Sequence, residues 1–165
     1  MGIIIDAFNL MYKIPDLQAK MEAEQLAPAR KGLVELLNKY WAIKPADICL
    51  VIDGKRGHGD LLESETIGKI KLVYSLDRKA DDIIMAMIKA DANPKMTTVV
   101  TSDNAIIVYA KRRQARVVKS EDFTEHIRKT IGEHEARREA EKDMDPQMSP
   151  EEVADWMEYF KREKK

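Results

Sequence analysis

Carboxylates recur where this chain leaves its short apolar runs. Asp6 closes the run "GIII", Asp53 closes "CLVI", and Asp103 follows "TVVTS", while Asp81 and Asp82 open a helical stretch in "RKADDII". Ionised carboxylates crowded into one crevice raise one another's pKa, which opposes such a cluster unless something neutralises it. A hard divalent cation does so. Mg2+ or Mn2+ prefers oxygen ligands, keeps several waters and shares its shell with substrate phosphates. Asn9, three positions after Asp6, adds a neutral oxygen able to ligate the ion or to hold one of its waters. Each residue alone also has an ordinary structural explanation: Asp6 as a turn residue, Asp53 with Gly54 as a turn, Ser102 or Asp103 as a helix cap, Asp81 and Asp82 at a helix's positive end. An acid at each of several separate strand ends favours a metal site.

Those acids need elements to position them. Short β-rich runs at Gly2–Ile5, Ile48–Ile52, Ile70–Tyr74, Thr97–Thr101 and Arg116–Val118 alternate with helical stretches around Pro28–Trp41, Lys79–Ala90 and Asn104–Arg113. That alternation predicts crossover units on a parallel sheet. Near-continuous apolar strands predict helices on both faces. The expectation is a doubly wound α/β domain: a three-layer sandwich with a mainly parallel five-stranded sheet, ending near Ile131. In such a sheet the carboxyl ends of the strands share one edge, and ligands bind where strand order reverses. The first strand is expected at that reversal, with Asp6 in the middle of the ligand edge.

Residues 132–165 form the expected second part, a charged linker and a C-terminal amphipathic helix. "GEHEARREAEKDMDPQ" is charged almost without apolar relief, so it is a solvated helix or a flexible linker. In "SPEEVADWMEYFKREKK" Ser149 is the expected N-cap, Pro150 the first helical residue and Glu152 the partner in a capping box. Val153, Trp156, Met157 and Phe160 share one helical face, expected to dock on the parent domain, a partner site being the alternative.

Composition narrows the partners. The 165 residues carry 28 Lys+Arg against 29 Asp+Glu, a net charge of −1, so a polyanion must be met by a local basic patch. The single Cys49 lies in the apolar "ICLVID" and permits no disulfide within the chain. No secretory segment and no run of membrane-spanning length is present, which predicts a cytoplasmic protein with no membrane partner. A myristoylation signal fails at Asp6. The histidines, His58, His126 and His134, are scattered, and no Ser-His or Cys-His arrangement for covalent catalysis stands out.

The ordered set "IIIDAFNLMY", "LVIDG", "KADDII" and "VVTSDN" resembles the YacP-like NYN domains of the PIN-like nuclease superfamily. The resemblance covers Met1 to about Ile131 and implies a parallel sheet sandwiched by helices. It implies metal-dependent hydrolysis of RNA phosphodiesters by an endoribonuclease, with Mg2+ or Mn2+ activating water for in-line attack. Carried over by position, it implies metal-site roles for Asp6, Asp53, Asp81 and Asp103 and a catalytic place for Asn9. Asp82 falls where related sequences often carry a second acid. Ala7 stands where a glycine is usual after the first aspartate, a small change.

RNA is the implied partner; ribosome-associated RNA is left open as its source, and the sequence is silent on oligomeric state. The glycine-rich "GKRGHGD" follows Asp53 and offers Lys55, Arg56 and His58 to phosphates, or is an ordinary surface loop. Arg78 and Lys79 flank the Asp81 motif, and "AKRRQAR" supplies Lys111, Arg112, Arg113 and Arg116. Phe8, Tyr12, Tyr74 and Tyr109 are the candidate base-stacking platforms. A non-catalytic RNA-binding or adaptor module on the same fold is the rival reading. An aspartate-nucleophile phosphohydrolase is disfavoured, because Phe8 stands where its second acid belongs.

Overall fold

The computed structural model describes residues 2–143 and 149–163; Asp143 apart, the "DMDPQ" end of the expected linker lies outside the described residues, as does the Phe160 side chain. Six strands form one sheet in the order β3-β4-β2-β1-β5-β6. They are β1 (Gly2–Asp6), β2 (Asp47–Ile52), β3 (Ser64–Ile67), β4 (Ile70–Tyr74), β5 (Thr97–Val100) and β6 (Arg116–Val118). β1 pairs parallel with β2 on one side and with β5 on the other. From β1 the chain builds outward through β2 and β4, then returns to the other flank for β5 and β6. Strand order therefore reverses at β1, as expected, and Asp6 ends the strand at that switch.

The sheet has one strand more than the expected five. β3 is antiparallel to β4 at the sheet's margin, with Ser64 opposite Val73 and Ile67 opposite Ile70. Its sequence, "SETI", is mostly polar and mostly exposed, so it carries no buried-strand signature. The two-residue link Gly68-Lys69 is the readable signal, since glycine opens a tight hairpin turn at positive φ. Gly68 has φ of 63°.

Alternation of side chains along the strands divides the core. Ile4, Val51 and Val99 point to one face, where they pack with Ile84, Ile88 and Ile106. These last come from α4 (Ala80–Ala90) and α5 (Asn104–Arg112). Ile3, Ile5, Leu50 and Leu72 are also buried and face the other side. There α1 (Ala7–Met11), α2 (Pro15–Glu22) and α3 (Leu26–Ile43) form the outer layer. α1 and α2 were not anticipated. α1 is too short to show a helical period; it begins inside the "IIIDAFNLMY" motif with Asp6 as its N-cap, whose side chain accepts from Asn9 N–H at 3.4 Å. The charge-rich α2 buries only Leu17 and Met21.

α6 runs from Ser120 to Lys142, so the stretch read as helix or linker is helical as far as Lys142. Phe123 near its start meets Tyr40 of α3 edge to face, with ring centroids 5.7 Å apart. The chain divides into two compact units, residues 1–125 and 126–165. The second contains the rest of α6, where Ala136 and Ala140 are buried, and α7 (Pro150–Glu163). The capping box at α7 forms as read: Ser149 N–H donates to Glu152 Oε2 and Glu152 N–H to Ser149 Oγ, both at 3.3 Å. Val153 and Met157 are part-buried on this helix and Trp156 is 41% exposed, its ring edge-on to Tyr159 at 6.1 Å.

Candidate active site

Parallel pairing delivers the carboxyl ends of β1, β2, β4 and β5 to one edge, and the acids arrive there with them. Asp6 is the most enclosed, only 7% exposed. Its Oδ1 accepts from Asn9 N–H at 3.4 Å and its Oδ2 from Thr101 Oγ1 at 3.2 Å. Burial pushes the Asp6 carboxyl up to about 6 from its usual 3.8; the hydrogen bonds from Asn9 and Thr101 pull down, and the charges of Asp81 and Asp103 push up further. Asp81, in the first turn of α4, is also raised, first by burial and then by Asp103, Asp53 and Asp82, with Lys79 opposing. Asp6, Asp81 and Asp103 thus lie within electrostatic reach of one another although they come from three separate segments of chain.

They do not close into a finished coordination shell. Among the described residues, no group of three or more His, Cys, Asp or Glu side chains is drawn together around a point that would hold one ion. Asp103 is the N-cap of α5: its Oδ1 accepts from Ala105 N–H at 2.9 Å and Ile106 N–H at 3.2 Å. Asp53 Oδ1 accepts from Ala80 N–H, at the start of α4, at 3.0 Å, and from Ser75 Oγ at 3.3 Å. In both residues a structural role, the foreseen helix cap for Asp103 and an unforeseen link to the start of α4 for Asp53, uses one carboxylate oxygen and leaves the other outside these bonds. The described residues therefore do not build a dehydrated cage; carboxylates spaced in this way would suit only a divalent ion that keeps several of its waters.

Asn9 is tied into the surrounding turns by its side chain. Its Oδ1 accepts from Ser102 N–H at 2.9 Å and from Ser120 Oγ at 2.6 Å. A backbone N–H demands an acceptor, so the amide is oriented with its oxygen inward and both lone pairs engaged. In this arrangement the Asn9 oxygen is engaged within the protein. It fastens the end of β1 to the β5–α5 turn and to the first residue of α6.

Several hydroxyls join this network, of which only Ser102 was named from the sequence, as a helix-cap candidate. Thr101, fully buried, donates to Asp6 and accepts from Asp103 N–H at 3.1 Å, so one oxygen aligns two of the acids. Ser102 Oγ donates to Glu121 Oε2 at 2.6 Å and accepts from Ser120 N–H at 3.1 Å. Ser75 Oγ accepts from Gly54 N–H at 2.7 Å, and Leu76 N–H donates to Gly54 O at 2.8 Å, which stitches the loops after β2 and β4. Gly54 (φ 93°) and Leu76 (φ 59°) both adopt left-handed backbone at this seam. Hydroxyls beside an acid in "VVTSDN" are the available signal for Thr101 and Ser102. Ser75 and Ser120 have none, because their partners are distant in sequence.

The basic residues divide between two edges. Lys55, Arg56, His58, Arg78 and Lys79 follow strand ends and lie at the acid edge, all exposed. Arg56 is already tied to Asp60 at 2.7 Å and Glu65 at 3.1 Å, and it braces its loop. Lys55 pairs with Asp77 at 3.5 Å, an exposed contact that costs little to break. Lys111, Arg112 and Arg113 end α5, which starts at the acid edge and runs back along the sheet. Nine residues at 1.5 Å each carry them about 14 Å away, toward the opposite edge. Arg113 there donates to Lys89 O at 3.0 Å. Of the aromatic candidates, Tyr74 is core, 3% exposed, and Tyr109 is part-buried against the α4–α5 core, whereas Tyr12 is 46% exposed just beyond α1.

A mostly apolar hollow of about 390 Å³ lies at the amino ends of the strands, bounded by Gly2, Ile3, Cys49, Met87 and Thr97 with Asp47 and Asp91, at the opposite edge from Asp6, Asp81 and Asp103. Cys49 borders it half-buried, consistent with a small hydrophobe, and burial raises its thiol pKa.

Comparison with known proteins agrees with this architecture. The model of the YacP-like NYN domain matches residues 3–161 and so extends past Ile131 into the last helix. The crystal structure of Rae1 (YacP) from Bacillus subtilis aligns with a TM-score of 0.65 at 17% identity, covering 86% of this chain and 80% of that one. A tryptophan-to-leucine mutant of the same protein aligns at 0.67 and 16% identity, covering 94% and 91%. At such identity the likeness is one of fold. No curated protein sequence matches the chain.

Proposed function

The chain belongs to the YacP-like NYN domain family of PIN-like nucleases, and from that premise we propose that it is a metal-dependent endoribonuclease working at the carboxyl edge of its sheet. One observation carries the proposal. Asp6 is buried at the switch point and shares its electrostatic environment with Asp81 and Asp103, an arrangement that is unfavourable until a cation joins it. A divalent cation bound there supplies charge stabilisation at the phosphate and acidifies water for attack on it.

The remaining tasks fall to residues of this chain. Asp6, Asp81 and Asp103 hold the cation, with Asp82 at the rim. Thr101 fixes the spacing of Asp6 and Asp103 through its single hydroxyl. Asn9 and Ser120 lock the turn that carries Asp103. Asp53 positions the first turn of α4, and therefore Asp81, by capping Ala80 N–H. Arg78, Lys79, His58 and Lys55 are placed to meet phosphates that flank the scissile bond, which are contacts that position without reading sequence. The cytoplasm is the compartment this reading assigns. It agrees with the single cysteine and with the lack, among the described residues, of a helix long and apolar enough to cross a membrane.

A non-catalytic RNA-binding module is the second reading, favoured by the capping duties of Asp53 and Asp103. Incubating the protein with labelled single-stranded and structured RNAs in Mg2+, Mn2+ or chelator separates the two. Cleavage in metal, abolished by chelator and reduced at least about a hundredfold by Asp6→Asn and by Asp103→Asn, is expected. No cleavage in any metal, or cleavage undiminished in both variants, overturns the enzyme reading.

A further inference from the structure

Between Asp103 and Glu121 the chain carries five basic residues, Lys111, Arg112, Arg113, Arg116 and Lys119, and no acid. All five are exposed. None forms an ion pair with a carboxylate among the described residues; Arg113 instead reaches Lys89 O. In a chain whose formal net charge is −1, that is a local excess of one sign, and screening in physiological salt confines its effect to about 8 Å.

The fold gives the excess a direction. β6 is the outermost strand on its flank, paired only with β5, with Arg116 opposite Thr98. Arg116 begins this strand and Lys119 stands one residue beyond its end, beside Ser120, whose hydroxyl bonds Asn9. Lys119 therefore marks the acid edge, while Lys111, Arg112 and Arg113 at the end of α5 mark the opposite one. Lys89 and Lys95, both exposed, close α4 and the short 3-10 turn Pro94–Met96 beside that far end. The charges thus run from the acids, along the margin of β6, to the amino side of the sheet.

We propose that this margin is a track for the phosphate backbone of RNA, leading a long strand away from the acid edge so that substrate is held at two places about 14 Å apart. The proposal rests on RNA being the substrate, and it names its class: RNA long enough to engage both the acids and the far end of α5. Protection of an open sheet edge by charge is the competing explanation for Arg116. It makes no use of Lys111, Arg112 or Lys119, and it implies no dependence on RNA length.

The test measures binding in the Asp6→Asn background, which keeps it readable whether or not the protein cleaves. Two single-stranded RNAs are compared: a dinucleotide, too short to reach across about 14 Å, and one of about 30 nucleotides, beyond the usual site sizes for single strands. Arg112→Glu with Arg116→Glu is expected to weaken the long RNA about tenfold and to lower its salt slope by about 1.4, the value for two lost phosphate contacts. The short RNA should bind as before. Arg112→Gln with Arg116→Gln should give the same pattern at smaller size with an unchanged melting temperature, which excludes misfolding. Unchanged long-RNA binding in both double variants, or equal losses for short and long RNA, overturns the track. Cleavage of the short RNA by the track variants on the otherwise wild-type chain reports separately on the acid site.

Discussion

Asp6 is where burial and function compete within one residue. An unfolded aspartate ionises near 3.8, whereas in the fold Asp6 keeps its proton to about 6. Below 3.8 the group is neutral in both states and costs nothing. Between 3.8 and 6 the folded state binds more protons than the unfolded state, so stability falls as pH rises. Above 6 the loss is complete, about 3 kcal/mol for a shift of this size. Asp6→Asn removes that charge while keeping an acceptor for Asn9 N–H. In chelator it should therefore melt several degrees above wild type at pH 8, with the advantage shrinking toward pH 4. The gain stays below the full 3 kcal/mol, because the new amide faces a Thr101 hydroxyl that already accepts from Asp103 N–H. Thermal melts across that pH range check it, and a difference that does not vary with pH would remove the claim that burial governs Asp6. The same residue would then be a site where neutralisation raises stability and abolishes cleavage.

At the scale of elements, the β3–β4 hairpin carries a constraint visible only in three dimensions. Gly68 opens its turn at φ 63°, and a Cβ there would collide with Asn38 Oδ1. That amide oxygen accepts from Lys69 N–H at 2.9 Å, while its nitrogen donates to Ile67 O at 3.2 Å and Val34 O at 3.0 Å. Asn38 of α3 thereby clamps the hairpin to the helical layer. Gly68→Ala should cost about 2 kcal/mol, from the left-handed backbone together with displaced hydrogen bonds. Gly57→Ala is the control: its backbone is not left-handed and nothing lies within 4 Å of the added methyl, so it should be close to neutral. Urea unfolding of the two variants decides the point, and equal midpoints would show that the clamp contributes nothing.

At the scale of the whole molecule, the acid edge exists only once the sheet is complete. Asp6 belongs to the first strand, Asp81 to α4 and Asp103 to the cap of α5, and only the parallel order around β1 brings them within range of one another. A cation that engages all three binds the folded chain and not the unfolded one, so it stabilises by mass action, about 2.7 kcal/mol at a hundred times its Kd. Added Mg2+ or Mn2+ should raise the melting temperature of the wild-type chain at pH 8, and the rise should be lost in Asp6→Asn and in Asp103→Asn. A melting curve indifferent to both ions would mean that the three acids do not share a cation.

The linear sequence determined what depends on nearest neighbours and on periodicity. Near-continuous apolar runs in β1 and β2 required a sheet covered on both faces, and the acid at the end of each run placed the ligand edge. Ser149, Pro150 and Glu152 specified the start of α7, since a capping box is made by residues three apart. β3 left only its glycine turn as a signal, because an edge strand need not be apolar, and α1 left none, because five residues show no helical period. The roles within the site were decided by tertiary structure. Asn9 stands three residues from Asp6, yet its oxygen is used by Ser102 and by Ser120, 111 positions away. Lys111, Arg112 and Arg113 follow closely after Asp103 in sequence, but a helix converts that interval into a displacement from one edge of the sheet to the other. Residue type and spacing fix which chemistry is available to a chain, while the direction in which each element runs decides which groups share it.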